Sequence, residues 1–335
     1  MNIETLNILV RTPNWLGDMV MGFAFFEQLR AEYAEAHITV IVKKGLEPIM
    51  DFYPIDEVVS FSKKEYTGFL GLRRFGKSLK RKRSYDLFFS MPDSFSAALM
   101  GFFAGAKKRI GFEREQRSIL LTNHYSLPYE LHYVERYTKL LEDFVGKKYK
   151  DLHTVFPKTE VATAIELPDE KPLVLLNFLA NAPSRTLSIE KSVAFFEYIN
   201  KRAEVNFVVS GVPSAKEYVS DFLGKIGTPS NVINLTGKTK LTDFVAVLRK
   251  CAVVLTVDSG PAHLSNALGR PTVALLGAGD PSRVRPWNEE NRTIIRLEEP
   301  LPCMPCRQNH CKLGTVECLE KLSVARIGEA VLRYL

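Results

Sequence analysis

The chain has 335 residues, of which 46% are hydrophobic, 25% charged and 10% aromatic. This length suits two domains, and the composition excludes a disordered, collagen-like or disulfide-stapled chain. No apolar run reaches the roughly 18 residues that a membrane-spanning helix needs. Residues 1–4 lack the basic start of a signal peptide, and the five cysteines suit a reducing compartment, so we expect a cytoplasmic protein.

The net charge of +7 is unevenly distributed along the chain. Residues 60–117 contain fourteen Lys and Arg against five Asp and Glu, an excess of +9 in this stretch. Such a density attracts phosphorylated ligands, an acidic membrane surface or nucleic acid. A solvated helix face with charged loops explains the same pattern about equally well. The basic residues are concentrated at Lys63 and Lys64, Arg73 and Arg74, 77–83 and 107–109.

Apolar runs of strand length alternate with segments of helical periodicity in both halves of the chain. The first half predicts strands at 6–10, 38–42, 58–61 and 87–91, with a helix at 22–33. The second half predicts strands at 173–178, 207–210, 232–235, 253–257 and 272–276, with helices near 188–201, 214–226, 241–250 and 261–269. Continuous apolar strands alternating with helices indicate parallel sheets covered on both faces. We therefore predict an α/β protein of two doubly wound domains, joined by a connection at 146–171.

The loop after the first predicted strand contains Gly17 and Asp18. We expect Gly17 to let the chain turn sharply and Asp18 to open the next helix. A carboxylate in this position can act as a general base or as a helix cap, and spacing alone favours the cap. The loop has neither the GxGxxG pattern nor a P-loop, which argues against dinucleotide oxidoreductases and nucleotide kinases.

A second informative loop follows the strand that ends at residue 257. Pro261 suits the first position of a helix, and the amides of Ser259 and Gly260 would then point at an anion. His263 lies in the first turn and can add a hydrogen-bond donor. The alternative reading makes Asp258 a helix cap and His263 a surface or core histidine. Because several features converge on one turn, a phosphate site is favoured.

A third loop, at 177–185, follows the first strand of the second half and ends in Arg185. Arginine is the side chain best suited to bidentate contact with phosphate. This loop would hold the other side of a diphosphate, although alone it is a weak signal.

Together the three loops resemble the bacterial heptosyltransferases of glycosyltransferase family nine, which build the inner core of lipopolysaccharide. The similarity covers nearly the whole chain. It is carried by 8–11 with Gly17 and Asp18, by 183–185, by 257–263, and by 269–272 with Gly277, Asp280 and Pro281. The chain departs from the family pattern at 186–188 and at Ala278 and Gly279. These departures concern donor identity more than reaction type.

The resemblance implies a GT-B fold of two Rossmann-like domains, with the active site in an interdomain cleft. Residues 1–160 would bind the acceptor and residues 161–320 the nucleotide sugar. Residues 321–335 would form a helix that packs back on the first domain. The family's members are inverting and metal-independent, so no cofactor is expected beyond the nucleotide-sugar substrate.

The resemblance also assigns roles to individual residues. Asp18 would be the catalytic base and Arg185 would stabilise the leaving diphosphate. Donor-binding residues would be Asn181, Ser184, Glu217, Asp258, Ser259, Gly260 and His263. Acceptor-binding residues would be Arg11, Asn14, Lys80, Arg81, Lys82 and Arg83. With no spanning helix to hold it, we expect the protein to bind an anionic glycolipid acceptor at the inner face of the inner membrane, peripherally.

Four cysteines near the C-terminus have partly zinc-like spacing: Cys303, Cys306, Cys311 and Cys318. The first pair fits a zinc site, the later spacings are irregular, and small buried cysteines explain the residues better. We predict no metal, with structural zinc as the minor alternative.

The predicted activity is transfer of heptose or a related sugar to a lipopolysaccharide inner-core acceptor, with ADP-heptose as the expected nucleotide-sugar donor. One alternative is a GT-B-fold enzyme that processes sugar nucleotides, such as an epimerase. A weaker alternative is a nucleic-acid-binding protein with a zinc module, although no nucleic-acid-binding motif is present.

Overall fold

The computed structural model describes residues 5–158, 161 and 163–335. The chain divides into two compact units, Met1–Thr154 and Val155–Leu335. The predicted domain boundary after residue 160 falls outside the described residues, as does the predicted N-terminal segment 1–4. Within the described part of the chain, no helix combines the length and the apolar character of a membrane span.

The first unit contains six strands and five α-helices in its described residues. The strands are β1 (Asn7–Arg11), β2 (His37–Lys43), β3 (Glu57–Phe61), β4 (Leu87–Ser90), β5 (Lys108–Phe112) and β6 (Asn123–Tyr125). The helices are α1 (Leu16–Met21), α2 (Phe23–Glu32), α3 (Gly68–Lys82), α4 (Phe95–Phe103) and α5 (Tyr133–Val145).

These strands form one parallel sheet in the order β3-β2-β1-β4-β5-β6. Ile8 of β1 lies level with Ile38 of β2 and Leu87 of β4. One core lies between the sheet and the packed pair α3 and α4, and it includes the buried Phe75 and Phe88. Helices α2 and α5 pack together in a second layer. Parallel strands covered by helices explain why these strand sequences are continuously apolar.

The second unit also contains six strands, and its described residues form seven α-helices. The strands are β7 (Leu173–Asn177), β8 (Asn206–Val209), β9 (Val232–Asn234), β10 (Val253–Val257), β11 (Thr272–Leu275) and β12 (Arg292–Ile295). The helices are α6 (Ile189–Asn200), α7 (Lys216–Ile226), α8 (Leu241–Lys250), α9 (Gly260–Ala267), α10 (Pro281–Val284), α11 (Glu317–Glu320) and α12 (Val324–Leu332).

The second sheet has the order β12-β11-β10-β7-β8-β9, and all its pairs are parallel. Numbered from its own first strand, this is the same topology as the first sheet. Strand order therefore reverses between β1 and β4 in one unit and between β7 and β10 in the other. In open α/β sheets, ligands bind beyond the carboxyl ends of the strands at such reversal points.

The C-terminal segment contains the predicted helix. Helix α12 packs on α6, and its Ile327, Ala330 and Val331 belong to the core of the second unit. Its packing on the first domain stays a prediction.

Three strands, β5, β6 and β12, were not predicted. β5 begins with Lys108 and Arg109, which read as part of a basic cluster, yet its other residues are buried in the sheet. The other two strands have three and four residues and few fully buried side chains, so their apolar signal is weak.

Candidate functional site

The carboxyl edge of the first sheet contains a buried arginine. Arg11 is the last residue of β1 and only 2% exposed. Its Nη1 donates to the carbonyls of Thr12 (2.7 Å) and Ile41 (3.2 Å), and its Nη2 donates to Asn14. Burial lowers the pKa of Arg11 to about 10, so the side chain remains a cation at neutral pH. The predicted acceptor residues Arg11 and Asn14 are therefore in direct contact.

Asp18 lies in the first turn of α1 and does not cap it. The cap position belongs to Trp15, whose side chain makes no capping hydrogen bond, and Gly17 is a buried helical residue. The alternative reading of Asp18 as a cap is therefore wrong, as is the expectation that Gly17 forms a turn. Asp18 is half-buried and close enough to Tyr137 of α5 to help raise that residue's pKa, of which burial is the main cause.

A cluster of three arginines surrounds Asp93 just after β4. Asp93 forms ion pairs with Arg114 (3.6 Å), Arg117 (4.0 Å) and Arg136. Arg117 is fully buried, and its ε-nitrogen donates to the Phe112 carbonyl (2.7 Å). Glu115 adds a second negative charge that acts on Arg117, so three arginines share two nearby carboxylates.

The structure separates the two halves of the predicted acceptor site. Lys80, Arg81 and Lys82 form the last turn of α3, and Arg83 follows as its cap. Arg83 donates to Asn7, the first residue of β1, at 3.2 Å. A helix between parallel strands runs back toward their amino ends, so 80–83 lie at the amino edge of the sheet. Arg11 lies at the opposite, carboxyl edge.

In the second unit, one asparagine ties together the two loops at the reversal point. The side-chain amide of Asn177, the last residue of β7, donates to the hydroxyls of Thr256 and Ser259 at 2.9 Å each. Thr256 lies in β10, and Ser259 is the cap residue of α9. Asn177 thereby links the end of β7 to the start of the helix that contains His263.

Arg185 and Asp258 form a partly buried ion pair in this site. The Nη1 of Arg185 lies 3.4 Å from the Oδ2 of Asp258, whose side chain is 5% exposed. Burial raises the pKa of Asp258, while the charge of Arg185 opposes that shift. A Cβ on Gly279 would collide with the Asp258 carboxylate, so this departure from the family pattern allows a close backbone approach. Asp258 does not cap a helix, which contradicts the alternative reading of that residue.

The N-terminus of α9 adjoins this ion pair. Ser259 occupies its cap position, but its side chain makes no capping hydrogen bond, and Pro261 lies in the first turn. First-turn N–H groups lack partners within their own helix and attract anions. His263 is buried, and burial together with Arg185 lowers its pKa to about 4. It is therefore a neutral hydrogen-bonding group at neutral pH.

Ser184 connects the loop that contains Arg185 to the segment at 308–309 through two hydrogen bonds. Its hydroxyl donates to the carbonyl of Gln308 (2.5 Å), and its N–H donates to the carbonyl of Asn309 (3.1 Å). In the same segment Arg307 forms an ion pair with Asp280 (2.5 Å). The Ser184 hydroxyl is thus engaged within the protein, and its predicted contact with the donor stays a prediction.

Two predicted donor residues stand apart from these contacts. Asn181 is exposed in the loop after β7, and Glu217 is exposed in the first turn of α7. Neither makes a hydrogen bond or ion pair with another described residue. Their donor-binding roles remain predictions.

The four C-terminal cysteines are free thiols that line one small cavity behind Ser184 and Ala278. Burial raises the pKa of Cys318 to about 11, and the neighbouring cysteines add to the shift. Among the described residues, no three His, Cys, Asp or Glu side chains are arranged to hold a metal ion.

The sequence profile of glycosyltransferase family 9 (heptosyltransferase) matches residues 72–317, well over half of the chain. The chain belongs to glycosyltransferase family 9. It is 30% identical over 311 residues to lipopolysaccharide heptosyltransferase 2 of Escherichia coli K12, covering 87% of this chain and 88% of the relative. A match of similar strength is to lipooligosaccharide heptosyltransferase 2 of Haemophilus influenzae, 30% identical over 316 residues, with 88% and 89% covered.

Solved structures give the same family assignment. The structure of E. coli ADP-heptose lps heptosyltransferase II superposes with a TM-score of 0.81 at 25% identity and covers 98% of both chains. A family 9 glycosyltransferase from Veillonella parvula superposes with a TM-score of 0.83 at 21% identity, covering 100% of this chain and 98% of that one. The family 9 protein is therefore a glycosyltransferase of GT-B fold. The epimerase and nucleic-acid alternatives are not favoured.

Several residues at the carboxyl edges of the two sheets were not predicted from the sequence. Asp93, Arg117 and Arg136 are scattered singly along the sequence, and only the fold brings them together. Asn177 had a detectable signal, because it is a polar residue at the end of an otherwise apolar central strand. Arg307 lies in the cysteine-rich segment, where the cysteine spacing drew attention away from it.

Proposed function

We propose that this family 9 glycosyltransferase transfers heptose from ADP-heptose to a lipopolysaccharide inner-core acceptor. The proposal rests chiefly on Arg185, held by Asp258 beside the uncapped N-terminus of α9. The heptosyltransferase 2 relatives, similar over nearly nine-tenths of the chain, suggest the sugar and the acceptor.

The donor side of the proposal concerns the charge on the leaving diphosphate. When the bond between the anomeric carbon and the phosphate oxygen breaks, both bonding electrons remain on the diphosphate. Arg185, the first-turn N–H groups of α9 and neutral His263 supply positive charge and hydrogen-bond donors to that oxygen. Asp258 acts as a positioning residue, because its buried carboxylate holds the guanidinium in place.

The acceptor side of the proposal concerns Asp18. Its carboxylate accepts the proton of the acceptor hydroxyl as that oxygen forms the new bond to the anomeric carbon. Attack on the face opposite the leaving group inverts the configuration, and one base is enough for such a displacement.

The donor contacts proposed here need no metal ion or other cofactor. Transfer activity should persist in excess EDTA, and ADP should be released in equal amount to the glycoside formed. Loss of activity in EDTA with recovery on adding a divalent cation would contradict metal-independence without affecting the proposed base.

The direct test is transfer with a panel of ADP-, UDP- and GDP-sugars and a deacylated core acceptor. We expect ADP-heptose to be the preferred donor, with the product heavier by one heptosyl unit. ADP should raise the melting temperature saturably, as a ligand of the folded state does. Preference for another nucleotide sugar, with ADP-heptose inert, would reject the proposed donor.

We also propose that the protein associates peripherally with an anionic membrane surface. Helix α3 buries one side and exposes the other, where Leu70 (73% exposed) and Phe69 (58%) stand beside exposed basic residues. Phe69 contacts Phe103 of α4 at 5.3 Å between ring centroids, next to Phe102, which is 46% exposed. An aromatic ridge beside lysines and arginines is typical of interfacial helices. The exposed basic residues of α3 are Arg73, Arg74, Lys77, Lys80, Arg81 and Lys82.

Vesicle co-sedimentation tests this association. Reversing Lys80, Arg81, Lys82 and Arg83 to Glu should weaken binding to anionic vesicles, with up to about 1 kcal/mol lost per residue near the surface. High salt should weaken wild-type binding in the same way. ADP affinity should not change. Vesicle binding that is unchanged by high salt and by the four reversals would mean that the basic residues of α3 face solvent and do not bind the membrane.

A further inference from the structure

Residues 307–310 contact the loop that contains Arg185. The Ser184 hydroxyl donates to the Gln308 carbonyl at 2.5 Å, and the Ser184 N–H donates to the Asn309 carbonyl at 3.1 Å. Both acceptors are main-chain oxygens, so these hydrogen bonds depend on the backbone conformation of the 307–310 segment. A change in that conformation therefore acts directly on the neighbour of Arg185.

The 307–310 segment also contacts the loop that follows β11. The Arg307 N–H donates to the Ala278 carbonyl at 2.9 Å, and the Arg307 guanidinium forms an ion pair with Asp280 at 2.5 Å. This loop adjoins the proposed donor site, because a Cβ on its Gly279 would collide with the Asp258 carboxylate. The segment is thus linked to the donor site through two loops.

Two cysteines flank the 307–310 segment. Cys306 precedes it and Cys311 follows it, and both are partly exposed free thiols. Both line a cavity of about 20 Å³, shared with Cys303 and Cys318, which has room for about one water molecule. Burial raises the pKa of Cys318, and the charges of Cys306 and Cys311 add to that shift. The two flanking thiols therefore lie at one small cavity, beside a common neighbour.

The environment of Cys311 favours its thiolate. Backbone N–H groups that follow it in the sequence, chiefly those of Val316 and Leu313, hydrogen-bond to its sulfur and lower its pKa. The thiolate is the nucleophile in thiol–disulfide exchange. Cys318 differs, because burial raises its pKa to about 11 and keeps it a thiol at neutral pH. Cys311 is thus a nucleophile that small reagents can reach.

We propose that Cys311 and Cys306 form a reversible disulfide that weakens donor binding. The Cys311 thiolate attacks one sulfur of a low-molecular-weight disulfide such as oxidised glutathione, and the other sulfur leaves as a thiolate. The Cys306 thiol then loses its proton to solvent and attacks the Cys311 sulfur, which releases the second small thiolate. The two cysteines are oxidised, and the small disulfide is reduced to two thiols. In a reducing compartment such disulfides are transient and redox-sensing.

The disulfide acts on the donor site through the 307–310 segment. The sulfur atoms of Cys306 and Cys311 must approach to about 2 Å, which draws the two ends of the segment together. The carbonyls that Ser184 binds belong to this segment, so the loop of Arg185 should be less firmly positioned after oxidation. This consequence for the donor rests on the proposed function, whereas formation of the disulfide does not.

The first test treats the intact, reduced protein with oxidised glutathione. The number of free thiols per denatured chain should fall by two from five, and peptide mass spectrometry should show Cys306 joined to Cys311. Cys306→Ser should stop at a mixed disulfide of glutathione with Cys311, and Cys311→Ser should form no bond to Cys306. The matched control is Cys303→Ser, which changes an exposed cysteine at the same cavity and should form the disulfide normally.

The second test measures ADP affinity by calorimetric titration. Oxidised wild-type protein should bind ADP several-fold more weakly than reduced protein, and dithiothreitol should restore the reduced value. Cys303→Ser should respond to oxidation as wild type does. Cys311→Ser should bind ADP equally well before and after the treatment.

Three results would overturn the disulfide: no loss of free thiols, a bond from Cys303 to Cys306 that leaves Cys311 free, or one zinc ion per chain that keeps the thiols unreactive. Equal ADP affinity of the oxidised and reduced proteins would overturn its link to the donor site. If the disulfide forms but the reduced protein does not bind ADP, the proposed function fails and the disulfide stands.

Discussion

The two units share one strand order but place opposite charges at the point where that order reverses. In the first unit the last residue of β1 is a buried arginine, Arg11, which has no carboxylate partner among the residues that the structure describes. In the second, the residue after β10 is a buried aspartate, Asp258, paired with Arg185. The same backbone arrangement therefore supports an unmatched cation in one unit and a matched ion pair in the other.

This difference separates two properties: the fold determines where the loops lie, and the loop residues determine the charges at the edge. Parallel strands with the same order bring the same loop positions together in both units. The loop residues then decide which charges the edge holds and how they are paired. Asp258 pairs with Arg185, whereas Arg11 is held by two carbonyl oxygens and Asn14 and lies over the ring of Phe61.

The largest effect is expected at Asp18 of the first unit. Asp18→Asn keeps the size of the side chain but removes its basicity, so kcat should fall by about 10² to 10⁴ with little change in melting temperature. Asp51→Asn, at an exposed acidic residue of the same unit, is the control and should retain activity. Near-normal turnover in well-folded Asp18→Asn would show that the base lies elsewhere.

Arg185 of the second unit should come next. Arg185→Met removes the cation proposed to stabilise the leaving diphosphate, and kcat/KM should fall by about 10² to 10³. Arg185→Lys keeps the charge without the bidentate geometry and should retain an intermediate efficiency. Arg202→Met removes an exposed arginine of the same unit and should have no effect. If ADP binds Arg185→Met as tightly as wild type, and kcat is unchanged, the phosphate site is misplaced.

The strands and helices around both edges were largely predictable because their apolar patterns are continuous. Strands β7, β10 and β11 and helices α6 and α8 lie within a few residues of their predicted positions. β6 and β12 were not predictable in this way, because short edge strands bury too little to produce a pattern. β5 was missed because Lys108 and Arg109 open it.

Site residues were predictable where a local motif concentrates them and unpredictable where the fold assembles them. The turn from Asp258 to His263 is contiguous, so its features could be read together. At the carboxyl edge of the first sheet, by contrast, Arg11, Lys63 and Asp93 follow three different strands and are far apart in the sequence. The position of Lys80 to Arg83 at the amino edge was not predictable, because charge density does not reveal which edge of the sheet a helix end reaches, and their acceptor-binding role stays a prediction.

The pH dependence of stability provides a third test, this time of the matched site. The pKa of His263 is about 4 in the folded protein against an ordinary 6.5. Between these values the unfolded chain binds more protons, so stability from this residue is present above pH 6.5 and is lost as the pH falls toward 4. The expected loss between pH 7 and pH 5 is about 2 kcal/mol.

His263→Gln should remove this contribution, and urea unfolding at the two pH values measures it. The pKa of Asp258 is shifted upward, so its contribution has the opposite slope. Since Asp258 is present in both proteins, the difference between wild type and variant isolates the histidine. Equal acid sensitivity in the two proteins would mean that His263 is not held neutral by burial.

The smallest expected effect distinguishes bracing from direct contact at Ser184. Ser184→Ala removes the hydroxyl that donates to the Gln308 carbonyl but keeps the hydrogen bond from the Ser184 N–H to the Asn309 carbonyl. The loop should therefore keep its conformation. Losing one buried hydrogen bond should cost about 1 kcal/mol of unfolding free energy. Looser positioning of Arg185 should raise KM for the donor a few-fold while kcat stays near wild type. Ser214→Ala, at an exposed serine of the same unit, is the matched control.

If Ser184→Ala instead reduced kcat/KM as strongly as Arg185→Met without loss of stability, the hydroxyl would have to leave Gln308 and bind the donor directly. The donor site of the second unit would then be less preorganised than its hydrogen bonds and ion pairs indicate, and in this respect it would resemble the first unit.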